Sequence, residues 1–503
     1  REPAQGPLLP TMLLLALAIA ACTAIHFQGK SGDCDSYDAA KKNTDTFNEM
    51  LAKLSPFETL EFPNDTFCFA GGITATGLEN VVIRFNGTVR FSDDTSKWPE
   101  NGDGKRIPAM YFEKFRNVTF TSDGKGLLDG NGHKWYGLAQ YAYFGENRPK
   151  LFEIYNSSDI LVENLILKNS PYWTFWAHNM TGLEVRYTDI YAAVDDKDSH
   201  DLFPLPRKGD ITAFNTDGFD VNGRDVWIHD CNIWNQDDCI AVKDEGQHWT
   251  TENMLFERIN ASGLGLAIGS ICNAHVRNIT FRDIRMHHTV KGIYTKFRTN
   301  AAPPLIGLIE DVTYENIYIE EPEQWPIWIG PAQQSDDVEF WRGHPCSLCW
   351  PQFEMRKIGF CDCGTVDDQY YRNILLKNIT IVRPSYPVGI VLGSENTIEN
   401  IHFEDVKVVD PKYTDSHLST WFKEHGGLKQ YFACSGIKNN TATCKNCDPV
   451  PSCFRDVSDG HGDDDHDGKE DIGSAQRLAN QSTYRYEESD GCACSANPDY
   501  SFV

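Results

Sequence analysis

Positive charge is scarce in this 503-residue sequence: 46 Lys and Arg stand against 72 Asp and Glu, a net charge of −26 with a pI near 4.9. Such a surface repels nucleic acid. Its overall field does not attract a polyanionic sugar either, so an acidic ligand needs a local basic subsite. Long apolar runs are missing too. The segment Met12–Ala24 is too short to span a bilayer comfortably and ends in small residues, as a signal peptide does. Residues 1–24 are therefore read as a signal peptide with upstream residues, which leaves no membrane attachment after cleavage. The run Ile19-Ala-Ala-Cys22 also fits a bacterial lipoprotein site, and the start at Arg1 fits an upstream extension or initiation at Met12.

Cysteine, by contrast, is plentiful. Sixteen are present, fifteen of them beyond Cys22, which suits an oxidising compartment. Ten Asn-x-Ser/Thr sequons agree: Asn64, Asn86, Asn117, Asn156, Asn179, Asn260, Asn278, Asn378, Asn439 and Asn480. The expectation is a secreted, extracellular, N-glycosylated monomer.

A short phrase recurs in which apolar residues alternate and an Asn or Asp then precedes another apolar pair. Its copies begin at Ile160, Val185, Val226, Met254, Ile279, Val312, Ile374 and Ile401. The starts lie 25, 41, 28, 25, 33, 62 and 27 residues apart. Period-2 alternation marks strands, and the Asn or Asp marks a turn into a second strand. One such coil cannot bury its inward face alone, but a stack of coils buries a continuous core. The longer intervals suit a coil with an insertion, or two coils. No helical stretch of ten or more residues separates the phrases, which argues against an alternating α/β fold. The fold expected is all-β, a parallel β-helix over residues 25–433, with Asn and Asp laddering inside it. Residues 36–54 form an amphipathic helix that caps the first coil. An insertion covers 322–369, and residues 434–503 form a Cys- and Asp-rich extension.

Polar clusters fall at about one-coil spacing: Asn215-Thr-Asp217, Gln236-Asp237-Asp238, Gly263-Leu264-Gly265 and Tyr294-Thr-Lys296. Residues one coil apart lie about 4.8 Å apart along the stack, so these clusters share one face. Glycoside hydrolysis needs a carboxylic acid at the leaving oxygen and a carboxylate acting across the sugar. Crowded carboxylates repel, which keeps one of them protonated. Because strand neighbours point to opposite faces, Asp237 and Asp238 share a cleft only at a strand end or bulge. Standing alone, an Asp-Asp pair would more often cap a turn or hold structural Ca²⁺.

The segments Asn215-Thr-Asp-Gly-Phe-Asp-Val221, Gln236-Asp-Asp-Cys-Ile-Ala-Val242 and Gly263-Leu-Gly-Leu-Ala-Ile-Gly-Ser270 resemble glycoside hydrolase family 28, the polygalacturonases. The likeness runs from about residue 75 to 410 and includes Asn169-Ser-Pro-Tyr-Trp-Thr-Phe-Trp176. It implies a single-stranded right-handed parallel β-helix of the pectin-lyase type and an inverting hydrolase of acidic plant or algal cell-wall polysaccharide. Asp237 is then the general acid, and Asp217 and Asp238 hold and activate water. Asn215, Gln236, Tyr294 and Lys296 become substrate-binding, and no metal or organic cofactor is implied. Two positions depart from the family pattern. Leu264 stands where the family usually has His, and Tyr294 where it usually has Arg, a pattern closer to the exo-acting and rhamnogalacturonan branches. Lys291 or Arg298 could supply the missing cation, but both are read first as solvated surface charges. A polysaccharide lyase and an inactive glycan-binding protein are the alternatives.

Other signals carry less. Cys346, Cys349, Cys361 and Cys363 have partial zinc spacing, but disulfides suit a secreted chain better. Cys34 with Cys68 would staple the cap, and Cys444, Cys447 and Cys453 would knit the tail with Cys492 and Cys494. Asp463, Asp465 and Asp467 match the opening of a calcium loop whose closing Glu is replaced by Ser474, so the stretch reads as a solvated acidic loop. The Trp residues between 325 and 350 are read equally as core or as a wall or platform for sugar.

Overall fold

A computed structural model describes residues 24–32, 34–192, 213–244, 250–298, 306–332, 367–385, 388–412 and 432–458. The leader apart from Ala24, the calcium-loop aspartates Asp463, Asp465 and Asp467, Trp341 and Trp350, and the Cys346–Cys363 group lie outside the described residues.

Among the described residues, twenty-eight strands form one sheet in which each coil pairs in parallel with the next. The register explains why the phrase repeats. Ile160, Leu183, Val226, Met254, Ile279, Val312, Ile374 and Ile401 stand directly above one another, and all are buried. Seven of the eight expected starts fall on this row. The second copy is two residues out of step, because Leu183 rather than Val185 holds the position. A two-residue shift keeps the same inward face, so alternation alone could not detect it. Val312 pairs directly with Ile374, so the 62-residue interval is one coil with an insertion, not two coils.

The turns are made by left-handed residues. Asn164, Asp230, Asp283, Asn316, Asn378 and Asp405 all have φ between 53° and 58°, where Asn and Asp are tolerated best among non-glycine residues. Their carboxamides do ladder, as Asn378 Nδ2 donates to Asn316 Oδ1 at 2.8 Å and Asn316 Nδ2 to Asp283 Oδ1 at 2.9 Å. The ladder is on the outside, not inside as expected, because a turn residue projects away from the core. Inside, apolar side chains stack coil on coil. Phe281 lies between Phe256 and Tyr314, with ring centroids 4.7 and 4.9 Å away and nearly parallel planes.

The cap helix spans Tyr37–Leu51, and the Ser36 side chain accepts the Ala39 N–H at its start. It buries Phe47 and Leu51 over the first coil, and Cys34–Cys68 ties the adjoining chain to that coil. Toward the other end, two expected boundaries differ. Ile327–Pro331, assigned by sequence to the insertion, is a strand of the stack, pairing with Ile293–Phe297 and Gly389–Leu392. Trp325 and Trp328 are accordingly buried. Phe432–Ser435, Ala442–Lys445 and Arg455–Asp456 continue the ladder into the expected extension, where Cys434–Cys453 and Cys444–Cys447 are disulfides. Cysteine content had masked the weak repeat there.

Candidate active site

Two adjacent coils place the carboxylates. Asp217 precedes the strand Phe219–Trp234, and Asp238 opens the strand Asp238–Val242. The ladder slips register between Asp238 and Ile240, which is the bend that adjacent aspartates require to share a face. The coils approach closely here. A Cβ on Gly218 would sit 2.3 Å from the Cys239 carbonyl oxygen, and one on Gly263 would sit 2.2 Å from Asn235 Oδ1. The result is a cluster in which carboxylate oxygens of Asp217, Asp237 and Asp238 all lie within 4.8 Å of one another.

Asp217 and Asp238 are buried, whereas Asp237 is half-buried. The Asp237 carboxylate accepts two backbone N–H groups, Asn215 N at 3.2 Å and Asp238 N at 2.9 Å. Burial, then the charges of Asp217 and Asp238, push its pKa up to about 7. Burial also raises Asp217 well above the carboxylate range, with Asp220 adding to the effect and Lys243 opposing it. Lys296 Nζ donates to Asp238 Oδ2 at 3.0 Å. Asp217 Oδ1 and Asp238 Oδ1 are buried with no hydrogen-bond partner among the described residues.

The other expected residues divide. Asn215 joins the cluster through its backbone, while its side-chain oxygen accepts from Arg148 at 2.7 Å. Gln236 spends its Oε1 on the Ala213 N–H, which braces the turn. Tyr294 lies between two ammonium groups, with Lys296 Nζ 4.0 Å and Lys291 Nζ 4.4 Å from its ring centroid. Lys291 is 1% exposed, so it is not the solvated surface charge expected from sequence.

Sequence reasoning missed three groups. Lys243 Nζ bridges Asp217 Oδ2 at 3.3 Å and Asp220 Oδ1 at 3.1 Å. Burial works against the Lys243 charge, but Asp220 and Asp217 outweigh it and raise its pKa. Asp220 itself is pushed up to about 6 by burial, against the pull of Lys243. Arg148 arrives from an earlier coil, 67 residues before Asn215. The position of Asp220, three residues after Asp217, was the one available signal. Nothing local marked the other two.

One outward row runs along this sheet in register: Glu153, Trp176, Asp220, Ala241, Ala267, Tyr294 and Trp328. Near its first end, Lys150 Nζ sits 3.7 Å from the Trp176 ring centroid and 3.2 Å from Glu153 Oε2, and Lys243 Nζ lies 4.9 Å from Trp173. At the other end Tyr294 and Trp328 are sealed from solvent although they project outward.

A parallel β-helix with clustered carboxylates beside buried cations defines a class, the β-helix glycoside hydrolases. The chain belongs to glycosyl hydrolases family 28, whose family model matches residues 57–337. A probable exopolygalacturonase X of Neosartorya fischeri is 23% identical over 380 residues, covering 71% of this chain and 78% of that protein. Among solved structures, the endo-xylogalacturonan hydrolase of Aspergillus tubingensis aligns with a TM-score of 0.57 at 16% identity, over 86% of this chain and all of that one. The polygalacturonase of Erwinia carotovora aligns with a TM-score of 0.56 at 18% identity, over 87% and 98%.

Proposed function

We propose that this glycoside hydrolase cleaves α-glycosidic bonds of a pectin-type acidic polysaccharide, a galacturonan or rhamnogalacturonan, from the chain end and with inversion. The observation that carries the reading is Asp237, a half-buried carboxyl raised to about 7 within 4.8 Å of two other aspartates. A protonated Asp237 gives its proton to the glycosidic oxygen as the C1–O bond breaks. Asp217 and Asp238 hold a water through their unpartnered oxygens, and one of them takes its proton as the water oxygen attacks C1. Lys296 and Lys291, held against Tyr294, supply the local cations that a uronate carboxylate needs in an acidic protein.

Chain-end action is supported by the sealed Tyr294 and Trp328, which close the floor row on one side. Inversion rests on family resemblance. The two carboxyl groups of an inverting enzyme stand about 6.5–9.5 Å apart, and here one oxygen from each aspartate lies within 4.8 Å of the others. An extracellular, glycosylated monomer is the form proposed. The leader-like segment, the sequons and the disulfides Cys34–Cys68 and Cys434–Cys453 support the extracellular site. No helix among the described residues is long and apolar enough to cross a membrane.

The test is digestion of polygalacturonate, rhamnogalacturonan and xylogalacturonan, with Asp237→Asn as control and the product anomer followed by NMR. Monomeric or dimeric saturated products of inverted configuration, absent in the control, are expected. Unsaturated ends would instead make the protein a lyase, and a retained anomer would reassign Asp217 or Asp238 as a nucleophile.

A further inference from the structure

The outward side of another face of the solenoid carries an aromatic pair that the catalytic cluster does not use. Tyr191 and Trp234 stand in register on adjacent coils, with ring centroids 6.1 Å apart and planes 17° from parallel. They are 49% and 52% exposed. Their strand neighbours Ile190 and Ile233 point into the core, so alternation fixes both rings outward. Two large rings left half in water, stacked on adjacent coils with nearly parallel planes, present an amphipathic aromatic surface of the kind that packs on the C–H face of a pyranose.

Beside them on the same face lies a groove of about 490 Å³, lined among others by Asn260, Arg285, Asn316 and Tyr318. Asn260 pairs with Asn232, two residues before Trp234, so the groove and the aromatic pair are contiguous. Arg285 and Tyr318 are in register, and the guanidinium sits 5.6 Å from the ring centroid. Arg285 is exposed and has no carboxylate within 4 Å among the described residues, whereas Arg258, Arg277, Arg282 and Arg383 each have one. In a chain of net charge −26, an exposed arginine beside an aromatic ring and with no acid within 4 Å among the described residues is matched to an external carboxylate.

We infer that this face is a second binding site for the acidic polysaccharide, with Tyr191 and Trp234 stacking on sugar rings and Arg285 pairing with a uronate. It anchors polymer beside the catalytic edge, which begins three residues beyond Trp234 at Asp237. The inference rests on the proposed acidic substrate. The other occupant that the sequence offers is a glycan on the sequon at Asn260.

The experiment separates anchoring from catalysis. Retention in a polygalacturonate gel is measured for Asp237→Asn protein, with and without Tyr191→Ala/Trp234→Ala or Arg285→Gln. Rates of the otherwise native enzyme are measured on polygalacturonate and on trigalacturonate. The expected result is about tenfold weaker retention for the variants and slower attack on polymer, with the trimer rate changed less than about twofold. Unchanged retention, an equal loss on trimer and polymer, or a glycan found on Asn260 would each overturn the inference. A parent protein that is retained but cleaves no pectin would overturn the substrate reading alone.

Discussion

The Nζ of Lys243 lies 3.3 Å from Oδ2 of Asp217, inside a site crowded with carboxylates. Lys243 also touches Asp220, so one ammonium neutralises two buried carboxylates. Removing it leaves both without their shared counterion, and the cost falls on the ionised form of Asp217. Lys243→Met is expected to lower kcat by ~10–100-fold with a smaller change in KM. The acidic limb of the pH profile should move to higher pH. A normal acidic limb in this variant would show that Lys243 is only structural.

With Asp237 as the proposed general acid, its proton sets the other limb. A general acid works while protonated, so kcat/KM should fall as pH rises through about 7. The same shift destabilises the fold. A carboxyl with a raised folded pKa binds more protons when folded, so its penalty is absent below about pH 4 and fully present above about pH 7. Asp237→Asn is expected to abolish cleavage, to raise the melting temperature at pH 8, and to leave it nearly unchanged at pH 4. Equal stabilisation at both values would assign the effect to packing instead.

The Phe256–Phe281–Tyr314 stack is the place to test the core. Phe281 is fully buried and touches a ring on each side. Phe281→Ala should cost about 3–5 kcal/mol, because its neighbours are fixed by the ladder and cannot collapse into the space. Denaturant unfolding would read the loss. A cost under about 1 kcal/mol would mean that the coils relax more freely than their register implies.

Glycan occupancy should follow the asparagine ladders. Asn86 donates to both Glu61 and Asp123, and Nδ2 of Asn117, Asn179, Asn260, Asn278 and Asn378 is bonded to a neighbouring coil. Asn64 and Asn439 are exposed loop residues outside these ladders. Secreted from a eukaryotic host, the protein should carry glycans at Asn64 and Asn439 and not at those six. Glycopeptide mass spectrometry decides it, and full occupancy of Asn278 or Asn378 would contradict the rule.

The sequence by itself determined the solenoid, because each coil must repeat the same inward apolar pattern to cover the one below. That periodicity made Ile160, Val226 and Ile374 legible as one row without any structure. It also set Asp217, Asp237 and Asp238 one coil apart, and therefore together. Only the tertiary structure decided what surrounds them. Arg148 and Lys243 reach the cluster through coil stacking and side-chain length, which leave no local pattern. Lys291 was misread for the same reason: its burial depends on what packs over the outer side of the sheet. Strand alternation tells which way a side chain leaves the core, but not what it meets there.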